Sequence, residues 1–273
     1  MEDLRVAAVC MNSEPGEVNR NLARMRSFAI KASAEGSQIV CFPEMCVTGS
    51  VLKNPDEVYR GLDPERILKR LLYMAEETRL FLIAGMVLVS SGQRPWITQI
   101  IAGPEGLIGL HKKSHLSPAE KDNYQAGQEI KAFKVGNTTV GVALCYEAHF
   151  PEISTILALL GADILFFPHA SPRGNPKGKS QSWLRHLPSR AFDNGAFVVA
   201  CNQVGDTSEG FSFPGVALVL GPDGQLLAKY TGDEEKILFA DLRAEELRNT
   251  REHRMKYFIP QRRPELYKRI VDR

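Results

Sequence analysis

The order of strands and helices along the chain predicts an α/β fold with four layers. Two mixed sheets of roughly six strands each would pack face to face, with helices covering both outer faces. Three observations support this prediction. Apolar runs alternate with helical patterns, tight hairpins follow them, and the same order begins again near residue 138. Such an order is typical of one large domain.

The first half of the chain begins with an apolar run rich in Val and Ala, which is typical of a buried strand. Val18, Leu22 and Met25 recur at helical spacing and form one apolar stripe. Pro64 suits the first turn of a second helix. Residues 103–106 have the sequence Gly-Pro-Glu-Gly, which is typical of a tight hairpin turn. The predicted strands are 4–10, 38–42, 80–89, 96–102 and 107–111, and the predicted helices are 17–34 and 64–79.

The second half repeats this pattern. Residues 159–169 parallel residues 34–44, and a Gly-Pro-x-Gly hairpin follows each segment, which favours a duplicated half over chance similarity. The polar stretch 114–137 has little periodicity and is predicted to be a functional loop. The predicted strands are 138–144, 163–167, 196–202, 216–220, 225–230 and 236–241, with helices starting near 151 and covering 180–194 and 243–255.

Composition and sequence patterns argue against a nucleic-acid-binding, a disulfide-stabilised or a membrane-spanning protein. The 34 basic and 32 acidic residues of the 273-residue chain are mixed along its length, which gives no electrostatic footprint for nucleic acid. Five cysteines, an odd number, argue against a disulfide framework. The start of the chain lacks the pattern of a signal peptide, and no apolar run is long enough to cross a bilayer. We therefore expect a cytoplasmic protein without a membrane partner.

Cys145 is the first candidate for chemistry, because it follows an apolar strand and a helix with Pro151 in its first turn comes soon after. A side chain on such a strand-to-helix turn lies beside backbone N–H groups, which lower a thiol's pKa and bind an oxyanion. The alternative is an inert buried cysteine.

Glu44 and Lys113 also lie just past the ends of predicted strands. Strand ends on one rim of a sheet pair converge in space, and an acid, a cation and a thiol together suit acyl transfer through a thioester. Taken singly, Glu44 could be an ion-paired or helix-capping acid. Lys113 could be the solvated end of a strand.

Motifs along nearly the whole chain resemble the nitrilase superfamily of carbon–nitrogen hydrolases. They occur in the order typical of that family, and each alone would be weak. They are Phe42-Pro43-Glu44, Lys113-Ser114-His115-Leu116, Cys145-Tyr146-Glu147-Ala148-His149-Phe150-Pro151-Glu152, Ser189-Arg190-Ala191, Asn202, Gly221-Pro222-Asp223-Gly224 and Arg263-Pro264-Glu265-Leu266-Tyr267.

The resemblance implies an α-β-β-α sandwich and a Glu44–Lys113–Cys145 triad that needs no cofactor and no metal. It also assigns Glu120 as a second glutamate beside the lysine. The expected reaction is hydrolysis of a non-peptide carbon–nitrogen bond, in a small amide or N-carbamoyl amine, by water through a cysteine thioester. The backbone N–H of Tyr146 and Lys113 would hold the oxyanion.

The resemblance further implies a homodimer or a larger homo-oligomer. We expect a catalytic domain at 1–256. The extension at 257–273 has scattered apolar residues among many basic ones, so it is predicted to pack on this domain or on a second subunit.

His149 marks a departure from the family pattern. Relatives that act on carboxylated substrates resemble one another in having an arginine there, and a histidine binds a carboxylate less well. We therefore expect a weaker preference for amides of dicarboxylic acids and for N-carbamoyl amino acids. His149 could instead pack or cap a helix. His149 and His169 are the candidates for substrate binding.

Other functions stay open at this point. Nitrile hydrolysis and acyl transfer could use the same triad. A metal enzyme is a further alternative, since His111 and His115 are four residues apart, as are Cys145 and His149, although no Cys-x-x-Cys pair is present. The last alternative is a binding or scaffold protein that has kept the fold.

Overall fold

The computed structural model describes residues 1–90 and 92–272, and in this part of the chain it has the predicted four layers. Two mixed six-stranded sheets pack face to face, and helices cover both outer faces. The predicted fold class is therefore confirmed. None of the helices described is both long and apolar enough to cross a membrane.

Strands and helices alternate much as the sequence predicts. The strands are β1 (Leu4–Cys10), β2 (Ile39–Cys41), β3 (Phe81–Ser90), β4 (Gln93–Gly103), β5 (Gly106–Lys112), β6 (Ala132–Val135), β7 (Thr138–Val142), β8 (Ile164–His169), β9 (Phe197–Asn202), β10 (Gly205–Asp206), β11 (Ser212–Phe213), β12 (Gly215–Leu220), β13 (Leu226–Gly232) and β14 (Lys236–Leu242). The α-helices are α1 (Val18–Ala34), α2 (Pro55–Val58), α3 (Pro64–Thr78), α4 (Pro151–Leu159), α5 (Pro176–Trp183), α6 (Leu187–Phe192), α7 (Ala244–Glu252) and α8 (Lys268–Val271). Short 3-10 helices cover Cys145–His149, Ile259–Gln261 and Pro264–Leu266.

The two sheets have equivalent strand orders. The first sheet runs β14-β1-β2-β3-β4-β5, and the second, taken from its β6 edge, runs β6-β7-β8-β9-β12-β13. In each sheet the central strand pairs in parallel with both neighbours, β2 with β1 and β3, and β8 with β7 and β9. This equivalence supports the predicted duplication and brings the ends of β2 and β8 to matching positions.

The core has three layers of apolar side chains, because residues on a strand alternate between its two faces. Cys41, Phe166 and Val199 belong to the layer between the sheets. Leu22 of α1 packs outside the first sheet, and Leu157 of α4 packs outside the second. Each large apolar side chain buried in these layers contributes roughly 1.5–3 kcal/mol.

Two sequence predictions are wrong in detail. The predicted loop 114–137 contains β6, a strand of four residues whose Phe133 and Val135 are buried, and so short a run gives little periodicity. The predicted helix 180–194 is broken into α5 and α6. Pro188 has no N–H to donate to the carbonyl of Leu184, so one continuous helix cannot form.

The segment after α7 packs partly on the domain. The ring centroid of Phe258 lies 5.5 Å from that of Phe192 in α6. Leu266, Ile270 and Val271 are exposed. The predicted boundary at residue 257, and a second subunit over this segment, stay predictions. Arg273 lies outside the described residues.

Because Gly85 of β3 has no side chain, the backbone of the segment after β2 can pack directly against it. A Cβ at this position would lie 2.3 Å from the Met45 nitrogen and 2.8 Å from the Pro43 oxygen. We expect Gly85→Ala to lower the free energy of unfolding by about 1–3 kcal/mol, because backbone must move to accept the methyl group. Urea unfolding measures this loss. The control is Gly178→Ala, whose Cβ would approach no neighbour closer than 3.3 Å; equal stability of the two variants would contradict the assignment.

Candidate active site

The centre of the site is a buried lysine held between two carboxylates. Lys113 follows β5, and its Nζ donates to Glu44 Oε1 at 2.8 Å and to Glu120 Oε1 at 2.7 Å. Glu44 and Lys113 are fully buried, and Glu120 is 5% exposed. The structure therefore brings together three of the residues that the sequence singled out.

The charges of this cluster depend on one another. Burial alone would lower the pKa of Lys113, but the charges of Glu44 and Glu120 raise it instead, so the amine stays protonated. Burial raises the pKa of Glu44, although Lys113 opposes this effect. A carboxylate with a raised pKa is a suitable proton acceptor.

Backbone groups fix both carboxylates in position. Glu44 Oε2 accepts a hydrogen bond from the Ala170 N–H at 3.0 Å, and Ala170 directly follows β8 of the other sheet. Glu120 Oε2 accepts one from the Ser117 N–H at 2.6 Å. The carboxylates therefore cannot turn away from Lys113 without losing these bonds.

Cys145 begins the 3-10 turn that follows β7, and its φ is +43°. This left-handed conformation is unfavourable for a residue with a Cβ, and such strain is concentrated at functional sites. The other four cysteines are buried, whereas Cys145 is partly exposed. Burial, followed by the charge of Glu44, raises the pKa of the Cys145 thiol to about 12, while Lys113 acts in the opposite direction.

Glu147 fixes this turn, and sequence reasoning assigned it no role. Its Oε2 accepts from the Leu144 N–H at 2.6 Å and pairs with His111 Nε2 at 2.8 Å. Its Oε1 accepts from the N–H of Ser114 at 2.8 Å. The carboxylate thus joins the cysteine turn to the residues on either side of Lys113.

The pKa of Glu147 reflects these contacts. Burial would raise it, but the interaction with His111 and the hydrogen bonds lower it to about 2. The sequence signal was a glutamate three residues after Leu144, the residue that precedes the turn, which is the spacing of a capping box. That spacing does not reveal the distant partners.

A cavity of about 350 Å³ opens onto the cysteine. The predicted site residues that line it are Lys113, Glu120, Cys145, Tyr146, His149 and His169. Its volume suits a small molecule. Glu44 does not line the cavity itself and is joined to it through its hydrogen bond with Lys113.

The two candidate histidines differ in environment. His149 is exposed, and its ring centroid lies 4.7 Å from that of His186. His169 is buried, its Nδ1 donates to the Phe167 carbonyl at 2.7 Å, and its ring lies 4.1 Å from that of Trp183. Burial lowers the pKa of both, that of His169 well below its usual value. Both therefore face the cavity as neutral groups.

Comparison with known proteins places this arrangement in a family. The family model described as carbon-nitrogen hydrolase matches residues 5–252. The chain belongs to the carbon–nitrogen hydrolase family. The predicted family and enzyme class are therefore confirmed: the protein is a carbon–nitrogen hydrolase.

Relatives of this carbon–nitrogen hydrolase cover almost its full length. A nitrilase from Pyrococcus abyssi is 28% identical over 97% of this chain and 99% of its own. The omega-amidase NIT2 of Homo sapiens is 28% identical over 90% of this chain and 91% of its own. A nitrilase-superfamily amidase from Nesterenkonia AN1 has the same fold, with a TM-score of 0.84 at 23% identity, covering 98% and 97% of the two chains.

His111 and His115, one of the pairs that suggested a metal site, have other partners in this hydrolase. His111 pairs with Glu147, and His115 Nδ1 lies 2.9 Å from the Ser114 hydroxyl. Within residues 1–90 and 92–272, no group of three or more His, Cys, Asp or Glu side chains is arranged to hold a metal ion.

Glu147→Gln should destabilise the protein in a pH-dependent way. The folded-state pKa of Glu147, about 2, lies below the usual 4.5, so its ionised form stabilises the fold above about pH 4.5. This contribution is lost as the pH falls towards 2. We expect the variant to lose about 2–3 kcal/mol at pH 7, with the difference from the wild type shrinking below pH 4.5.

Urea unfolding between pH 3 and pH 7 measures this difference. Glu152→Gln, an exposed acid in the first turn of α4, is the matched control and should show no such trend. A difference that stays constant across this pH range would contradict the assignment.

Proposed function

We propose that this chain hydrolyses a small amide or N-carbamoyl amine through a thioester on Cys145. The observation that carries the proposal is the buried Lys113, held at 2.7–2.8 Å by two carboxylates, in the wall of the cavity onto which Cys145 opens. An acid, a cation and a thiol around one small cavity suit acyl transfer.

Glu44 acts as the general base for the first step. Because the pKa of Cys145 is raised to about 12, a free thiolate is scarce at neutral pH. Proton transfer to Glu44 must therefore accompany the attack of sulfur on the substrate's carbonyl carbon. The burial that raises the pKa of Glu44 makes it a better acceptor.

Lys113 and the Tyr146 N–H stabilise the tetrahedral oxyanion. Lys113 is already fixed and charged, so no reorganisation is needed as negative charge develops. Glu44 then returns its proton to the departing nitrogen, and ammonia or an amine leaves. The carbonyl stays bonded to the Cys145 sulfur as a thioester.

Water completes the reaction. Glu44 takes a proton from a water molecule that attacks the thioester carbonyl, and the acid product leaves as the thiol is restored. Glu120 positions Lys113 throughout, through the hydrogen bond at 2.7 Å.

The relatives include nitrilases as well as amidases, and the amidases support an amide substrate. A variant of the Nesterenkonia amidase carries the acetamide moiety of fluoroacetamide, covalently added at its active site cysteine. An N-carbamoylputrescine amidase from Oryza sativa is 34% identical over 60% of this chain. Nitrile hydrolysis and acyl transfer by the same residues stay alternatives. The cytoplasmic location and the homo-oligomer stay predictions.

Replacement of the nucleophile should abolish turnover. We expect Cys145→Ala to lower ammonia release by at least a thousandfold, on the order seen when a nucleophile is removed. A panel of amides, N-carbamoyl amines and nitriles identifies the substrate class. Cys10→Ala, which removes a buried thiol from β1, is the control and should keep its activity. Wild-type rates in the Cys145→Ala protein would overturn the proposal.

Alkylation tests the activation of the thiol separately. Iodoacetamide should label Cys145 before the four buried cysteines. Labelling should accelerate as the pH rises, because the thiolate becomes more abundant. Peptide mass spectrometry gives the order of labelling, and equal labelling of all five cysteines would favour a scaffold function.

A further inference from the structure

Lys179 of α5 is a buried cation in the cavity wall, apart from the Lys113 cluster. It is only 9% exposed, and its Nζ donates to the Ser171 hydroxyl at 2.6 Å. Among residues 1–90 and 92–272, no carboxylate forms a salt bridge with it. Glu120, the acidic residue of the cavity lining, is already paired with Lys113.

A buried charge without a partner is costly, so this arrangement calls for an anion. Lys179 and Cys145 line the same cavity. Burial lowers the pKa of Lys179, while a charge on Cys145 raises it. An ammonium group has three donors, and Ser171 takes one of them. Two donors are left for a ligand. The Ser171 hydroxyl, which accepts from Lys179, keeps its own proton to donate.

Ser171 is fixed by a second residue. Asn202 Oδ1 accepts from the Ser171 N–H at 2.9 Å, and Asn202 Nδ2 donates to the Ser171 carbonyl at 3.1 Å. Ala170, the preceding residue, donates to Glu44. The Lys179–Ser171 pair is therefore preorganised and lies one residue along the chain from the group that holds Glu44.

We propose that Lys179 and Ser171 bind a carboxylate at the far end of the substrate, so that the preferred substrates are small amides of dicarboxylic acids. One carboxylate oxygen accepts from Lys179 Nζ and the other from the Ser171 hydroxyl. The exposed Arg173 adds positive charge at the cavity mouth. This inference rests on the proposed amidase function. It runs against the weaker preference for such amides that His149 alone suggested.

The test compares two amides of similar shape, succinamate with a carboxylate and butyramide without one. We expect wild-type kcat/KM to be at least roughly tenfold higher for succinamate, because hydrogen bonds to a charged group discriminate by about this much. Lys179→Met should lower the ratio of the two kcat/KM values roughly 10- to 100-fold, mainly through the KM for succinamate. Lys179→Arg should restore part of the ratio.

Lys177→Met is the matched control, an exposed lysine on the same helix, and should keep the wild-type ratio. A wild-type ratio near one, or an unchanged ratio in Lys179→Met, would overturn the inference while leaving the amidase function intact. If neither amide is hydrolysed and the wider panel of amides and N-carbamoyl amines releases no ammonia, the proposed function fails instead. Calorimetry of succinamate binding to Cys145→Ala and to Cys145→Ala/Lys179→Met then decides on the anion site, because it needs no turnover. Equal binding by the two proteins would overturn it.

Discussion

The ion cluster around Lys113 constrains the rest of the structure. A charged amine in a dry interior is tolerated only when its neighbours neutralise it, and Glu44 and Glu120 do so. Glu44 extends from the first sheet and accepts a hydrogen bond from Ala170, which follows a strand of the second. The face-to-face packing of the sheets must therefore be exact at this rim, since a small shift would leave a buried charge without its partner.

Much of the fold and part of the site could be predicted from sequence, because both leave local signals. Apolar periodicity locates the strands, and Glu44, Lys113 and Cys145 each stand just after one. Glu147 was missed for the opposite reason. Its partners His111 and Ser114 lie 36 and 33 residues away, and the local spacing of Glu147 in its turn does not reveal them.

The wall of the cavity likewise contains a residue whose role no local sequence signal reveals. Lys179 sits on a short helix among polar residues, where a lysine ordinarily points to solvent, and only the folded chain shows that it is buried beside Ser171. The sequence repeat, by contrast, aligns Glu44 with His169. At equivalent ends of β2 and β8, one half of the fold supplies an ionisable acid and the other an imidazole that burial keeps neutral. The two halves of a nearly symmetric frame thus supply different groups at equivalent positions.

The left-handed backbone of Cys145 sets stability against activity at a single position. Glycine adopts a φ of +43° without steric cost, whereas cysteine does not. Selection for stability alone would therefore favour glycine there, whereas the proposed role of Cys145 requires a sulfur atom at the cavity. The proposed nucleophile is thus a strained position in the fold, and the Glu147 carboxylate holds its turn in place, so that stability and the proposed activity depend on the same network.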